Sequence, residues 1–197
     1  NMERSVLKMP AVALRGMTIL PGMITHFDVS RSRSAKAVER SVAQDQKLFV
    51  VTQKDPETEN PDKDGLFSIG TIVEVKQIIK MPHNILRILV EGAGRAELCG
   101  LEDGEYLEAD VCEIPDIVEE GLPEEAMLRN LQDIFEGYTA ASGKMNKDMA
   151  RQIENCQTVQ NMMERISIHV PFRWEEHQQY LETVNFEERY ELLCVLL

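Results

Sequence analysis

Val12-Ala13-Leu14-Arg15-Gly16-Met17-Thr18-Ile19-Leu20-Pro21-Gly22-Met23-Ile24-Thr25-His26-Phe27-Asp28-Val29-Ser30-Arg31 is the stretch on which the fold of this chain turns. Two short apolar runs, Val12 to Leu14 and Met23 to Val29, flank the dipeptide Pro21-Gly22. Proline pre-sets φ for the second position of a turn, and glycine accepts the positive φ that the third position of a type II turn demands. The stretch therefore reads as two strands joined around a tight corner. In the second run Met23, Thr25, Phe27 and Val29 alternate with Ile24, His26 and Asp28, the period of a strand buried on one face. His26 falls on the wetter face and is assigned no role.

Working outward, Ser34 reads as the N-cap of a helix to about Gln44, with Ala35, Val38 and Val42 on its buried side. Leu48-Phe49-Val50-Val51 is apolar on both faces, as an interior strand would be. Asp55 to Gly65, with two prolines and five acids, predicts an exposed loop. A long hairpin follows: Ile69, Thr71, Val73 and Val75 face one way, and Met81-Pro82-His83-Asn84 turns the chain into Ile85 to Val90. Gly92 and Gly94 then separate a strand from Arg95 to Leu101, which Asp103-Gly104 joins to another from Tyr106 to Glu113. About seven strands and one helix in residues 1–115 predict a small closed or nearly closed barrel, the economical way to protect so many edges.

Past Pro123 the apolar period changes to that of helices. Met127, Leu131, Ile134, Phe135 and Tyr138 share one helical face, and Gly143 lies in the loop that ends it. A short helix from about Lys147 to Cys156 is expected next. Val159, Met162, Met163 and Ile166 mark another that stops before Pro171. Trp174, His177, Leu181 and Val184 mark a further one, which makes His177 a core histidine rather than a ligand. Asn185 with Glu188 three residues on is a capping pattern for a last helix that buries Phe186, Tyr190, Leu193 and Leu197. The expected class is therefore α+β, a small N-terminal β-barrel with one helix over 1–115, an acidic connector over 116–123, and a C-terminal helical bundle over 124–197.

Charge is spread unevenly within a net charge of -13. Met2 to Lys54 holds nine Lys or Arg against four acids, whereas Glu97 to Gly137 holds fourteen acids and the single base Arg129. This balance argues against nucleic-acid or membrane partners, whose phosphates need clustered bases. The four cysteines, Cys99, Cys112, Cys156 and Cys194, are scattered without a Cys-x-x-Cys pair, so reduced thiols in a cytoplasmic protein are expected. No apolar run approaches the roughly 18 residues that span a bilayer. Asn1 ahead of Met2 reads as foreign to the natural start. The apolar run Leu192-Leu193-Cys194-Val195-Leu196-Leu197 carries no stop signal, so the final helix is expected to continue in a longer polypeptide.

The motifs of catalysis are missing. The sequence has no Gly-x-x-x-x-Gly-Lys-Ser/Thr phosphate loop, no His-Glu-x-x-His pair and no Gly-x-Ser-x-Gly elbow. Val90-Glu91-Gly92-Ala93-Gly94-Arg95 contains a Gly-x-Gly, but a dinucleotide site needs a third glycine opening a helix, and a strand is expected here. Glu119-Glu120 and Glu124-Glu125 sit in a solvated connector, where carboxylates do little acid-base work. A binding module without cofactor or metal is expected, and not an enzyme.

Several segments together resemble the amino-terminal domain of Lon-type ATP-dependent proteases. They are Leu14-Arg15-Gly16, Leu20-Pro21-Gly22-Met23, Val29-Ser30-Arg31, Ser34, Gln53-Lys54-Asp55, Ile69-Gly70-Thr71, Leu89-Val90-Glu91-Gly92-Ala93-Gly94-Arg95-Ala96, and Gln179-Tyr180-Leu181-Glu182 with Arg189 and Leu192-Leu193. Gly16 stands where the family usually carries Asp. The resemblance implies a barrel related to pseudouridine-synthase and archaeosine-transglycosylase domains, that is, PUA-like. It implies capture of unfolded or degron-bearing proteins for an attached ATPase and Ser-Lys protease, and self-association into a hexamer. No family catalytic residue maps onto these positions.

The candidate contact residues are Met17, Leu20, Met23, Met81, Pro82 and Ile85, with the competing reading that Leu20 and Met23 belong to the core. An alternative is a stand-alone module of the same barrel type that receives a degron, a small molecule or RNA.

Overall fold

The structure, a computed structural model, describes residues 5–30, 32–117 and 119–197. Arg31, which closes the opening stretch, and Val118 of the connector lie outside the described residues, as do Asn1 and Met2. The chain divides between Pro115 and Asp116 into two compact units.

The first unit holds β1 (Val6–Leu14), β2 (Ile24–Ser30), α1 (Arg33–Ala43), β3 (Lys47–Thr52), β4 (Ile69–Met81), β5 (Ile85–Asp103) and β6 (Leu107–Ile114). Their order in the sheet is β2-β5-β4-β3-β1-β6, and β5 also pairs with β6. β1 and β3 run parallel, Ala11 opposite Phe49, while the other neighbours are antiparallel. This is a mixed six-stranded sheet rather than a clean seven-stranded barrel. The difference lies in β5, where the Gly92 and Gly94 break expected from sequence does not occur. β5 is one strand whose first half pairs β2 and whose second half pairs β6. The register shift between Ile72 and Val73 leaves Ala93 opposite no residue, so the strand bends there without ending.

Two cores follow from this path. Leu48 and Val50 point with Val12, Leu14, Phe27, Val29, Val38, Val73 and Ile88 into a core that α1 covers. Phe49 and Val51 point the other way, with Met9, Ala11, Ile72, Ala96, Leu98, Ala109 and Val111. Both faces of β3 are thereby buried, as its unbroken apolar run requires.

The corner at Pro21-Gly22 is the expected turn. Met23 N–H donates to the Leu20 carbonyl at 3.1 Å and Gly22 has φ of +85°. It is pinned to β5 by Gly22 N–H to the Gly92 carbonyl, 2.9 Å, and Gly92 N–H to the Met23 carbonyl, 2.8 Å. A Cβ on Gly92 would lie 2.3 Å from the Leu20 carbonyl oxygen, so only glycine fits beneath the corner. The approach to the corner is held by the Thr71 hydroxyl donating to the Ile19 carbonyl and the Thr52 hydroxyl to the Met17 carbonyl. α1 begins two residues earlier than expected, capped by the Ser32 hydroxyl, which accepts from Ser34 N–H. Its buried side is also rotated: Val42 is exposed and Ser41 is buried, its hydroxyl donating to the Lys47 carbonyl at 2.8 Å.

The second unit contains α2 (Glu124–Ser142), α3 (Lys147–Glu154), α4 (Val159–His169), α5 (Trp174–Glu182) and α6 (Phe186–Leu196). Leu131, Phe135, Ile153, Met162, Ile166 and Leu193 are each fully buried. The Tyr190 hydroxyl on α6 donates to the Met127 carbonyl of α2 and accepts from Asn130 Nδ2, both at 2.9 Å. Asn185 caps α6 as expected, its side chain accepting from Glu188 N–H at 2.9 Å. Val184, expected on a buried side, is 46% exposed because α5 ends at Glu182.

Candidate protein-binding surface

The β4–β5 hairpin and β2 build an outward face that the first core does not use. Along it, Ser30 lies opposite Ile85 and Ile85 opposite Met81; Asp28 lies opposite Arg87 and Arg87 opposite Ile79. His26, Leu89 and Gln77 form the next row, then Ile24, Glu91 and Glu74. Alternate residues of paired strands share a face, so Met81, Ile85, Ile79, Leu89 and Ile24 stand together, opposite the buried Leu86, Ile88 and Val90. Ile24 is 68% exposed and Ile79 is 38% exposed.

At the tip, Pro82, His83 and Asn84 are exposed while Met81 and Ile85 are half-buried. His83 and Asn84 both have positive φ, 64° and 59°, a backbone state that these side chains tolerate better than most. Beyond Glu74, β4 pairs only with β5 among the described residues, so the hairpin projects past β3. β2 ends the strand order, and its outer edge offers main-chain donors and acceptors beside the apolar face.

The charged groups on this face pair with one another, with one carboxylate in excess. Arg87 donates from Nε and Nη2 to the two carboxylate oxygens of Asp28 at 2.9 and 3.1 Å. That hydrogen-bonded guanidinium holds Asp28 below the usual carboxylate range against a smaller opposing effect of burial. Lys76 pairs with Glu91 at 3.2 Å and Glu74 at 3.3 Å, and these hydrogen bonds raise its pKa. Apolar side chains around these ion pairs can cover an apolar segment of another protein, but they supply no nucleophile or acid-base pair.

The residues singled out from sequence do not form one patch. Met81, Pro82 and Ile85 lie at the hairpin tip. Leu20 and Met23 lie at the Pro21-Gly22 corner, beyond the other end of the β2–β5 ladder, whose six steps from Ser30 to Ile24 span roughly 20 Å. Leu20 is only 1% exposed, which corrects its place among the contact candidates: it is a core residue. Met23 is half-buried against the first core, and its sulfur accepts from Leu20 N–H at 3.4 Å. Met17 lines a separate cleft of about 550 Å³ with Leu14, Phe27, Val29 and Arg33. Ile24, Ile79 and Leu89 were not among the candidates, although continuing the alternation from Met81 and Ile85 down both strands points to Ile79 and Leu89. Among the described residues no cluster of three or more His, Cys, Asp or Glu is placed to hold a metal.

Residues 8–197 match the model of the ATP-dependent protease La (LON) substrate-binding domain. The chain belongs to the Lon substrate-binding domain family. The resemblance drawn from its ordered segments is borne out. It is 42% identical over 201 residues to the Lon protease of Lachnoclostridium phytofermentans, with 100% of this chain and 25% of that protein covered. It is 34% identical to the Lon protease of Brevibacillus choshinensis, with 96% of this chain and 24% of that protein covered. The chain thus spans about a quarter of the length of these Lon proteases. The N-terminal domain of the Mycobacterium avium complex Lon protease superposes with a TM-score of 0.76 at 16% identity, covering 96% of this chain and 97% of that one. A Lon N-terminal domain protein from Xanthomonas campestris gives 0.66 at 15% identity, covering 96% and 98%. At these identities the two structures establish the Lon N-terminal fold.

The family's ordered segments also prove to be structural parts of that fold. Arg15 donates from Nε to Gln53 Oε1 at 3.3 Å and from Nη2 to the Glu59 carbonyl at 3.0 Å, and Gln53 Nε2 donates to the Thr58 carbonyl at 2.8 Å. Arg189 is 7% exposed and donates to the Thr183 and Val184 carbonyls at 2.8 and 3.2 Å, closing the end of α5.

Proposed function

We propose that this chain is the non-catalytic recognition part of a Lon-type ATP-dependent protease, and that it captures unfolded or degron-bearing proteins on the outward face of β2, β5 and β4. The observation that carries the reading is the apolar row of Ile24, Ile79, Met81, Ile85 and Leu89 beside an open strand edge, in a chain of a substrate-binding family. Pro82 extends that row at the tip, and Met17 and Met23 offer a second, separate contact. Burying one such side chain contributes about 1.5 to 3 kcal/mol, which suits weak, multivalent capture of exposed apolar segments. In the full-length protein the captured client passes to an attached ATPase and Ser-Lys protease in a cytoplasmic hexamer.

The finer architecture belongs to the same proposal. Residues 1–115 are read as a PUA-like barrel, supported by pairings that run β1-β3-β4-β5-β6 and back to β1. Residues 116–123 are read as a connector and 124–197 as a helical bundle, supported by the buried side chains that α2 through α6 share.

Binding of a reduced and alkylated, permanently unfolded protein, followed by fluorescence anisotropy, tests the surface. The double substitution Met81→Asp and Ile85→Asp is expected to raise Kd by about tenfold or more. Unchanged affinity in a variant with native circular dichroism would overturn the hairpin assignment.

A further inference from the structure

Two thiols face each other across the β5–β6 ladder. Cys99 occupies the irregularity where the register shifts between Leu98 and Gly100, and Cys112 on β6 lies opposite Glu97 on one side and Val6 of β1 on the other. Cys99 is two residues beyond Glu97, so both sulfurs emerge on one face of the ladder. Their Sγ atoms are 3.0 Å apart. A disulfide bond needs about 2.05 Å, so the two need approach by only about 1 Å. Cys99 is exposed, whereas Cys112 is 4% exposed. We infer that Cys99 and Cys112 form a reversible intrachain disulfide when the chain meets a peroxide, clipping β5 to β6.

The chemistry divides between the two sulfurs by access. The Cys99 thiolate attacks one oxygen of hydrogen peroxide; the O–O bond breaks, and the departing hydroxide takes a proton and leaves as water. Cys99 is then a sulfenic acid. The Cys112 sulfur gives up its proton and attacks the Cys99 sulfur; the S–O bond breaks, the hydroxyl leaves with that proton as a second water, and an S–S bond remains. Two thiols have been oxidised by two electrons and one peroxide has been reduced. A thiol reductant reverses the step by exchange.

The clip lies on the seam where β6 joins β5. β6 touches β1 on one edge and the second half of β5 on the other, and the β5–β6 pairing returns the ladder to its start. A bond at this seam restrains the hairpin from Leu98 to Val111 from opening.

The test uses the 197-residue chain treated with hydrogen peroxide, alkylated, digested without reductant and mapped by mass spectrometry. The expected result is an intact mass lower by about 2 Da, a linked peptide pair containing Cys99 and Cys112, and recovery of both thiols with dithiothreitol. Amide exchange across residues 98–111 slows by about tenfold or more, as a disulfide closing a loop of this size provides. Cys99→Ser, a substitution at an exposed position, abolishes the mass loss while the fold persists. The inference is overturned if Cys99 accumulates as a sulfinic acid while Cys112 remains alkylatable. It is equally overturned if Cys99 links only between chains, or if Cys99→Ser still loses the two hydrogens.

Discussion

At the scale of single residues, the family's segments act through backbone geometry more than through exposed chemistry. Gly22 occupies φ of +85° at the corner, a conformation that costs a β-branched side chain about 1 to 3 kcal/mol. Gly22→Val is therefore expected to lower the free energy of unfolding by that amount, seen as a lower urea midpoint at unchanged m-value. Gly94, whose added Cβ meets nothing within 4 Å, serves as the control: Gly94→Ala is expected to be neutral within about 0.5 kcal/mol. Equal losses for the two would remove the turn conformation as the cause. The presence of Pro21-Gly22 is enough to read this corner from sequence. The reason for Gly92 is not legible there, because the carbonyl it must admit belongs to Leu20, 72 positions earlier in the chain.

At the scale of elements, local signals locate helix ends to within a turn and faces less well. Asn185 is the clear case, and Asn185→Ala is expected to destabilise the second unit by about 1 kcal/mol in chemical denaturation. His177 lies half-buried within α5. Burial lowers its pKa, partly opposed by the hydrogen bond of its Nε2 with the Ser167 carbonyl, 3.0 Å away. The folded state thus prefers the neutral ring, and the unfolded chain binds the proton more readily. Stability from this group is complete above the unfolded value of 6.5 and is lost as pH falls from there through the lower folded value. A denaturation series from pH 8 to 5 should show this loss in the wild type, and the loss should be smaller in His177→Gln. A wild-type curve that gains stability toward pH 5 relative to the variant would contradict the assignment. The hydrogen-bonding demands of neighbouring elements explain the misread face of α1: the buried Ser41 satisfies the Lys47 carbonyl, and Val42 turns outward.

At the scale of the molecule, each unit owns a buried apolar core, and among the described residues the segment between β6 and Glu124 carries no helix or strand. Glu120 is exposed within it. Brief digestion with a Glu-specific protease is expected to cut near Glu119 and Glu120 and to leave two resistant fragments, one of strands and one of helices, each folded by circular dichroism. Rapid loss of either fragment would show that its core does not sustain it alone.

The kinds of element, the type II corner, the capping of the last helix and the family are legible in the chain, because these depend on local backbone chemistry and on the order of short segments. Tertiary structure alone decided that β5 runs unbroken through Gly92 and Gly94, that Leu20 is core, and that Ile24 and Ile79 join Met81 and Ile85 on one outward face. It also brought Cys99 against Cys112. Each of these depends on which strand pairs with which and in what register, and a one-residue change of register would carry every one of these side chains to the opposite face.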